Sequence, residues 1–460
     1  MSFRLFLAYS VSLTLSWNLI ASANPDGHDS GNPTSSASQG HLKNNGNDPF
    51  SFLLNAGPPE ILREVASNDP VPDNITVRRV VFRSRNESEV FAIIAAPKAA
   101  GKHPGLLVLH GGGGSAEVDK AMAWAQRGYV AVAPDMPGIG NPEQLTHTKG
   151  AWDGLKYGEG RWTADPEAGA SILVDAVGSA MKALELLRAQ PDVNPDRIGV
   201  VGISWGGYVT TMVCGLAGSK VQAGFSIFGC GFYELTSAWG NLKKLPEAEL
   251  DRWLKGLDAG RRAPGITAPF FIAGATNDFF YFPKAVQATL DAVPGGKNHL
   301  YAPNANHKMP VPGGMDFPKG PTEPSRPTAF QPFPTPHGSK ANWLAMEVPY
   351  FDFFLKGIGE PLPKVTVIKT DDPLLAAFEV ATTRPLSSVE VYWAKMNPDV
   401  KTREWIAIPA TKTPSGTFEA SLPPDAADWF ALVSDDRPVT VSGNLISRAP
   451  ERASKTNSLQ

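Results

Sequence analysis

The sequence predicts an α/β molecule in which a mostly parallel sheet covered by helices is followed by a small all-β domain. Three observations carry this. Between residues 75 and 357, short and wholly apolar runs alternate with helix-length segments. Such runs are strands buried on both faces, as in a parallel sheet with helices on either side. From residue 361 the alternation stops, and short β-branched or aromatic runs divided by turns take over. Finally, RIGVVGISWGG at 197–207 reads as a buried strand running into G-x-S-x-G and then a helix. Its glycines permit the sharp turn that would lift the Ser204 hydroxyl clear of the sheet.

Composition narrows the partners. The chain has 460 residues, a net charge of -3 and 42% hydrophobic residues. That length holds one large domain and a smaller one. The near-neutral charge carries no footprint of a nucleic-acid or anionic-membrane partner. Two cysteines exclude a disulfide-dense scaffold. Cys214, on the helix after the elbow, and Cys230, just past the next strand, are expected as free buried thiols, a single disulfide being the other arrangement.

At the N-terminus, Arg4 precedes a charge-free apolar run at 5–20 and then Ala21-Ser22-Ala23. This is the pattern of a secretory signal peptide at 1–23 cleaved after Ala23, with an uncleaved anchor as the alternative. No other run is long enough to span a membrane, so the expectation is a secreted or periplasmic protein. Asn74-Ile75-Thr76 and Asn86-Glu87-Ser88 are glycosylation sequons that matter only in a eukaryotic source.

Residues 24–50, rich in Asn, Gly, Ser and Asp, read as a disordered linker. The α/β domain occupies 51–360, with an irregular or helical lead-in at 51–70 and an edge hairpin of strands at 75–82 and 90–96. A strand at 105–109, a helix at 118–127 closed by Gly128, and a strand at 129–133 follow. A helix at 166–189 opens on Asp165 as N-cap and Pro166 as first residue. Strands at 223–228, 269–273 and 299–302, a helix at 283–293, and a last helix at 340–355 complete the domain. Strands at 365–369, 378–382, 389–393, 405–408, 417–420 and 429–433, with no helix among them, predict a β-sandwich-like domain at 361–448. Residues 449–460 read as a flexible tail.

Serine chemistry needs a base within hydrogen-bond reach and a carboxylate that orients the base. Asp278 leaves the strand at 269–273 and His307 leaves the strand at 299–302, so both sit in loops after strands and in the order Ser, Asp, His. Ser204, Asp278 and His307 are therefore the candidate triad, with His299, inside its strand, as the weaker candidate base. His110-Gly111-Gly112-Gly113-Gly114 follows the strand at 105–109, and glycines allow backbone N–H groups to approach a carbonyl oxygen closely. The amides of Gly111 or Gly112, together with that of Trp205, are the candidate oxyanion hole. The glycine run lacks the Gly-Lys-Ser/Thr ending of a phosphate loop, and no His/Cys/Asp/Glu cluster has metal-ligand spacing. No cofactor or metal is expected.

These motifs resemble a known family. LLVLHGGGG at 106–114, YVAVAPDMPGIG at 129–140, DRIGVVGISWGGY at 196–208, FFIAGATNDFFY at 270–281 and NANHKMP at 304–310 are similar to the α/β-hydrolases. The resemblance is to the broad group of dienelactone hydrolases, bacterial acetyl xylan esterases and the catalytic domains of prolyl oligopeptidases. It implies a sheet of roughly eight strands and hydrolysis through an acyl-enzyme. Dienelactone hydrolases carry cysteine where this chain has Ser204, and prolyl oligopeptidases place a β-propeller ahead of the catalytic domain, for which residues before 75 leave no room. The hydrolase-then-β layout is also similar to PhoPQ-activated pathogenicity-related proteins.

Three aromatic-rich segments are candidates for the pocket wall: 141–165 with Trp152, Tyr157 and Trp162; 232–264 with Tyr233, Trp239 and Trp253; and 279–282. Trp152, Trp162, Trp239, Phe280 and Tyr281 are the candidate substrate contacts, since aromatic faces suit sugar rings or apolar acyl groups, core packing being the other role of each. The Pro-rich stretch 303–337 is too long for a simple connection and is expected over the site's mouth. An exported serine hydrolase with an attached β domain points to a carbohydrate ester, of acetyl xylan type, as substrate. A prolyl oligopeptidase-like peptidase and a non-catalytic binding protein on a hydrolase scaffold are the alternatives. Oligomeric state is not readable from the sequence.

Overall fold

The structure, a computed structural model, describes residues 48–53, 56–307, 346–437 and 439–448. The signal peptide, nearly all of the linker at 24–50, most of the Pro-rich stretch, the start of the last helix and the tail at 449–460 lie outside these residues.

A nine-stranded sheet forms the larger layer. Its strands are β1 (Ile61–Glu64), β2 (Ile75–Arg83), β3 (Glu89–Pro97), β4 (His103–Leu109), β5 (Val130–Pro134), β6 (Val193–Ile203), β7 (Ala223–Ile227), β8 (Phe270–Ala275) and β9 (Lys297–Ala302). Their spatial order is β1-β2-β3-β5-β4-β6-β7-β8-β9. The first four of that order are joined antiparallel. From β5 through β4 to β9 every pairing is parallel. Strands β5, β7 and β8 are buried along their whole length, which is why their sequences are continuous apolar runs rather than alternating ones.

The helices are α1 (Val118–Gln126), α2 (Ile172–Arg188), α3 (Trp205–Ala217), α4 (Trp239–Leu242), α5 (Glu247–Leu257), α6 (Pro283–Ala292) and α7 (Glu347–Phe351), the last continuing as a π-turn over Asp352–Lys356. Gly128, at φ 85°, follows the end of α1 as expected.

In the large domain, two expectations change. The lead-in at 51–70 contains the ninth strand, β1, whose four residues show no clear alternation and are held by the ladder to β2. Surface pairs Arg78–Glu64 and Arg63–Glu89 decorate it and contribute little to stability. The helix expected from 166 starts instead at Ile172, where the Ser171 hydroxyl accepts the Leu173 N–H and acts as the cap. The segment before it is drawn toward α5: Glu249 accepts the Ala164 N–H at 2.9 Å, and Arg252 donates to the Ala164 carbonyl at 2.8 Å.

The C-terminal region has two antiparallel sheets. One runs β10 (Lys364–Ile368), β11 (Leu375–Ala381), β15 (Phe418–Ser421), β14 (Thr411–Lys412); the other runs β13 (Ile406–Pro409), β12 (Leu386–Lys395), β16 (Ala426–Asp435), β17 (Thr440–Ser442), with β18 (Ile446–Ser447) also on β16. The short β17 and β18 were not legible as strands, and a 3-10 turn stands at Val400–Thr402 where no helical element was expected.

This β region covers the otherwise open edge of the large sheet at β9. The Tyr301 N–H donates to Ser442 Oγ (2.8 Å), and His299 Nε2 meets the Gly443 carbonyl (2.8 Å). Burial pushes the His299 imidazole down to about 4, partly opposed by that hydrogen bond. An unfolded histidine takes up a proton near pH 6.5, which the native ring refuses until pH approaches 4. Stability due to the neutral ring is therefore complete above pH 6.5 and is lost as pH falls through that window, by about 3 kcal/mol. Urea unfolding at pH 7.5 and pH 5 should show this acid weakening in the wild type, and His299→Gln should lose its share of it, leaving that of the other buried imidazole, His110. An equal pH dependence in both proteins would refute the assignment.

Candidate active site

Strand β6 ends at Ile203, and the next residue, Ser204, has φ 57° and ψ −119° before α3 begins. Those angles are costly for a residue with a Cβ. They are held by the Ser204 N–H donating to the Ile227 carbonyl on β7 at 2.7 Å and by the glycines on either side. The same turn leaves the Trp205 N–H as the first orphan donor of α3.

The candidate acid and base come from the loops after β8 and β9. Ser204 Oγ lies 2.8 Å from His307 Nε2, and His307 Nδ1 lies 2.8 Å from Asp278 Oδ2. Asp278 is fully buried, and its other oxygen accepts the N–H groups of Phe280 (2.7 Å) and Tyr281 (3.0 Å). The carboxylate is thereby fixed on both oxygens, which sets the tautomer and plane of the imidazole. The second candidate base, His299, is set aside: it is buried against the β region, with its ring nitrogen occupied by Gly443.

Next to the serine runs the glycine loop. Gly113 and Gly114 donate to the carbonyls of Ile139 (2.9 Å) and Gly111 (3.1 Å). Gly111 and Gly112 have no backbone acceptor among the described residues, so these amides, with that of Trp205, stand free for a ligand oxygen. A methyl at Gly112 would stand 2.6 Å from the Tyr157 hydroxyl and 2.7 Å from the Trp205 ring, so the loop is closed over by aromatic groups.

Sequence reasoning missed what holds this loop. His110 is buried, its Nδ1 facing the Gly111 carbonyl (2.8 Å) while Nε2 accepts the Met136 N–H (2.9 Å). That pairing requires the neutral ring with its proton on Nδ1, and burial lowers its pKa in the same sense. Buried Asp135 accepts from the Ala116 N–H and from Thr148 Oγ1, both at 2.7 Å, and so ties the stretch after the glycines to the loop after β5. The signal for this role in the sequence is the histidine that opens HGGGG at 110–114.

The five aromatic candidates separate. Phe280, exposed, meets His307 edge-on at 4.8 Å between ring centres, and Tyr281 lies 5.9 Å from it. Phe228 and Phe279 complete that ring cage at 5.0 and 5.6 Å. Trp162 packs 5.8 Å from Trp205, within a cluster that includes Tyr233 and Trp253. Behind it, the Tyr233 and Tyr281 hydroxyls meet at 3.1 Å. Trp152 is instead core: its ring crowds Gly150, beside Ser88 of the edge hairpin. Trp239 is half-buried on α4 and has no ring contact with the site among the described residues.

Arg161, which the sequence did not flag, lies between the rings of Tyr157 (4.3 Å) and Trp205 (4.9 Å) and donates to the Gly138 (2.6 Å) and Ile139 (3.3 Å) carbonyls. It pins the 141–165 insertion beside the glycine loop. Both cysteines are free and buried, and burial raises both thiols. Among the described residues no group of His, Cys, Asp or Glu is arranged to hold a metal ion. Nor is any helix among them long and apolar enough to cross a membrane.

A sharp strand-to-helix turn at Ser204, a mostly parallel sheet and loops gathered at its strand ends make the α/β-hydrolase fold. Residues 90–299, just under half of the chain, match the model of the dienelactone hydrolase family, which supports a hydrolase. Among solved structures, acetyl xylan esterase 1 from Thermoanaerobacterium sp. JW/SL YS485 is similar at 19% identity, over 58% of this chain and 88% of that one, with a TM-score of 0.49. The acetyl xylan esterase from Paenibacillus sp. R4 gives 18% identity, 58% and 92% coverage and a TM-score of 0.48. The Pyrococcus horikoshii acylaminoacyl peptidase gives 18% identity, 51% and 38% coverage and a TM-score of 0.40.

Proposed function

We propose that this protein is an exported serine hydrolase that cleaves carboxylic esters through an acyl-enzyme, with Ser204 as nucleophile, His307 as base and then acid, and Asp278 as the group that orients the imidazole. The observation that carries the reading is the unbroken relay of two 2.8 Å contacts from Ser204 through His307 to a buried, doubly anchored Asp278. Attack of Ser204 Oγ on the ester carbonyl passes its proton to His307 Nε2. The oxygen that becomes negative is received by the free amides of the glycine loop and Trp205. His307 then protonates the leaving alcohol, and water releases the acyl group by the same steps in reverse.

The substrate we favour is a carbohydrate ester of acetyl xylan type. The rings of Phe280 and Tyr281 pack around His307 and that of Trp162 beside Trp205, an aromatic surround that suits a sugar ring, and an attached β region suits a polymeric substrate.

Labelling with a fluorophosphonate probe tests the mechanism directly. Ser204 of the wild type should be modified and Ser204→Ala should stay unlabelled; an unlabelled wild type would sink the enzyme reading. Among labelled samples, turnover of p-nitrophenyl acetate and acetylated xylan with inert aminoacyl p-nitroanilides is the expected pattern. The reverse pattern would identify a peptidase.

A further inference from the structure

Two asparagines reach from the acid and base loops into the β region. Asn277, the residue before Asp278, is buried, and its Nδ2 points at the carbonyls of Arg403 (2.6 Å), Val400 (3.1 Å) and Lys401 (3.3 Å), while Oδ1 accepts from Thr276 Oγ1 (2.7 Å). Asn304, three residues before His307, donates to the Trp405 carbonyl (2.8 Å) and accepts the Trp405 N–H (2.9 Å). A side-chain amide carries the same donor and acceptor as a peptide group, so Asn304 pairs with Trp405 as a neighbouring strand would. Its backbone is left-handed at φ 55°, which turns the chain back toward the acid loop.

The two loops are also bound to each other. The Asn304 N–H donates to Thr276 Oγ1 (2.8 Å), and the Asn277 N–H donates to the Ala305 carbonyl (2.9 Å). The receiving segment is anchored in turn. Arg403 forms a buried ion pair with Asp428 on β16 and donates to the Asn397 carbonyl (2.6 Å). Trp405 packs on Phe430 (5.0 Å), which packs on Tyr301 of β9 (5.5 Å), two strand residues upstream of the base loop. A closed circuit therefore runs from β9 through the base loop, the acid loop and the 400–405 segment back to β9.

We propose that the C-terminal β region is the template for the acid–base pair, and that Asn277 and Asn304 are the positioning residues that transmit its register to Asp278 and His307. The proposal rests on the Ser204–His307–Asp278 reading. Asp278 has local support from the Phe280 and Tyr281 amides. For the base loop, the Trp405 pairing fixes what the acid loop alone leaves adjustable, and a shift of about 1 Å in a general base costs on the order of 100-fold in rate.

Asn304→Gly keeps the left-handed backbone and deletes both side-chain bonds; Asn277→Ala deletes the three donations. Each is expected to lower kcat for p-nitrophenyl acetate and the fluorophosphonate labelling rate together, by roughly 10- to 100-fold, with KM nearly unchanged. The downfield proton resonance of the His307–Asp278 hydrogen bond should broaden or vanish, while hydrogen exchange shows the 400–405 segment still docked. If these asparagines merely glue the two regions, melting temperature falls but kcat and the downfield proton persist, and the proposal is overturned. Should one variant fail to fold, the other reads the same quantities. A dead Ser204→Ala beside a wild-type-like Asn304→Gly removes the template alone, whereas an active Ser204→Ala removes the triad reading and the template with it.

Discussion

Ser204→Ala is expected to lower kcat/KM for p-nitrophenyl acetate by about a million-fold, with the fold intact and KM little changed. His307→Ala should do nearly as much, and the double variant should be no worse than either. The reason is that Oγ and Nε2, 2.8 Å apart, act as one device: without the base the hydroxyl is a poor nucleophile, and without the hydroxyl the base has no proton to take. Asp278→Asn should cost roughly 10⁴-fold, because its amide can present a donor to Nδ1 and so favour the wrong tautomer. In the opposite direction, the residual activity of all three variants should exceed the uncatalysed rate through the free Gly111, Gly112 and Trp205 amides, whose arrangement none of these changes touches. Measured multiplicative losses in the double variant would refute the single-device account.

The elements that carry these three side chains were legible because each obeys a local rule. Buried parallel strands announce themselves as apolar runs, and in such a sheet the loops after strand ends gather on one side. Ser204, Asp278 and His307 could be picked from that rule without knowing a single distance. What failed to show is whatever depends on partners far apart in the chain. Strand β1 exists through its ladder to β2 rather than through its own four residues. The start of α2 moved to Ser171 because Glu249 and Arg252, about eighty residues on in sequence, hold the preceding segment. Asn277 and Asn304 stand in the loops after their strands with no local signal of a role; that they grip a segment more than a hundred positions downstream is a fact of docking, not of pattern. Aromatic content located the wall segments, yet Trp152 and Phe280 carry the same compositional signal while one is buried core and the other lies at the imidazole edge. A residue type gives area; only packing gives it a direction.

Gly206→Ala should be the most damaging change that adds only one methyl. A Cβ at Gly206 would stand 2.4 Å from the Leu109 carbonyl oxygen and 2.6 Å from that of His110, and both neighbours are backbone that cannot swing aside. To make room, the start of α3 must withdraw from the end of β4. That motion separates the Trp205 amide from the Gly111 and Gly112 amides, the two sides of the proposed oxyanion hole. A loss of at least about 100-fold in kcat/KM is expected, with a clear fall in melting temperature. Gly202→Ala meets the same obstacle from the other side, since its Cβ would lie 2.4 Å from the Gly206 carbonyl oxygen. Gly240, in α4, is the control: a Cβ there meets nothing within 4 Å. Gly240→Ala should leave activity unchanged and raise stability by up to about 1 kcal/mol, the helix preference of alanine over glycine. The contrast matters more than either value. If Gly206→Ala and Gly240→Ala were equally active, the close approach of α3 to β4 would not be what sets the spacing of the amides, and the serine's neighbourhood would have to be held by the wall segments at 141–165 and 232–264 instead.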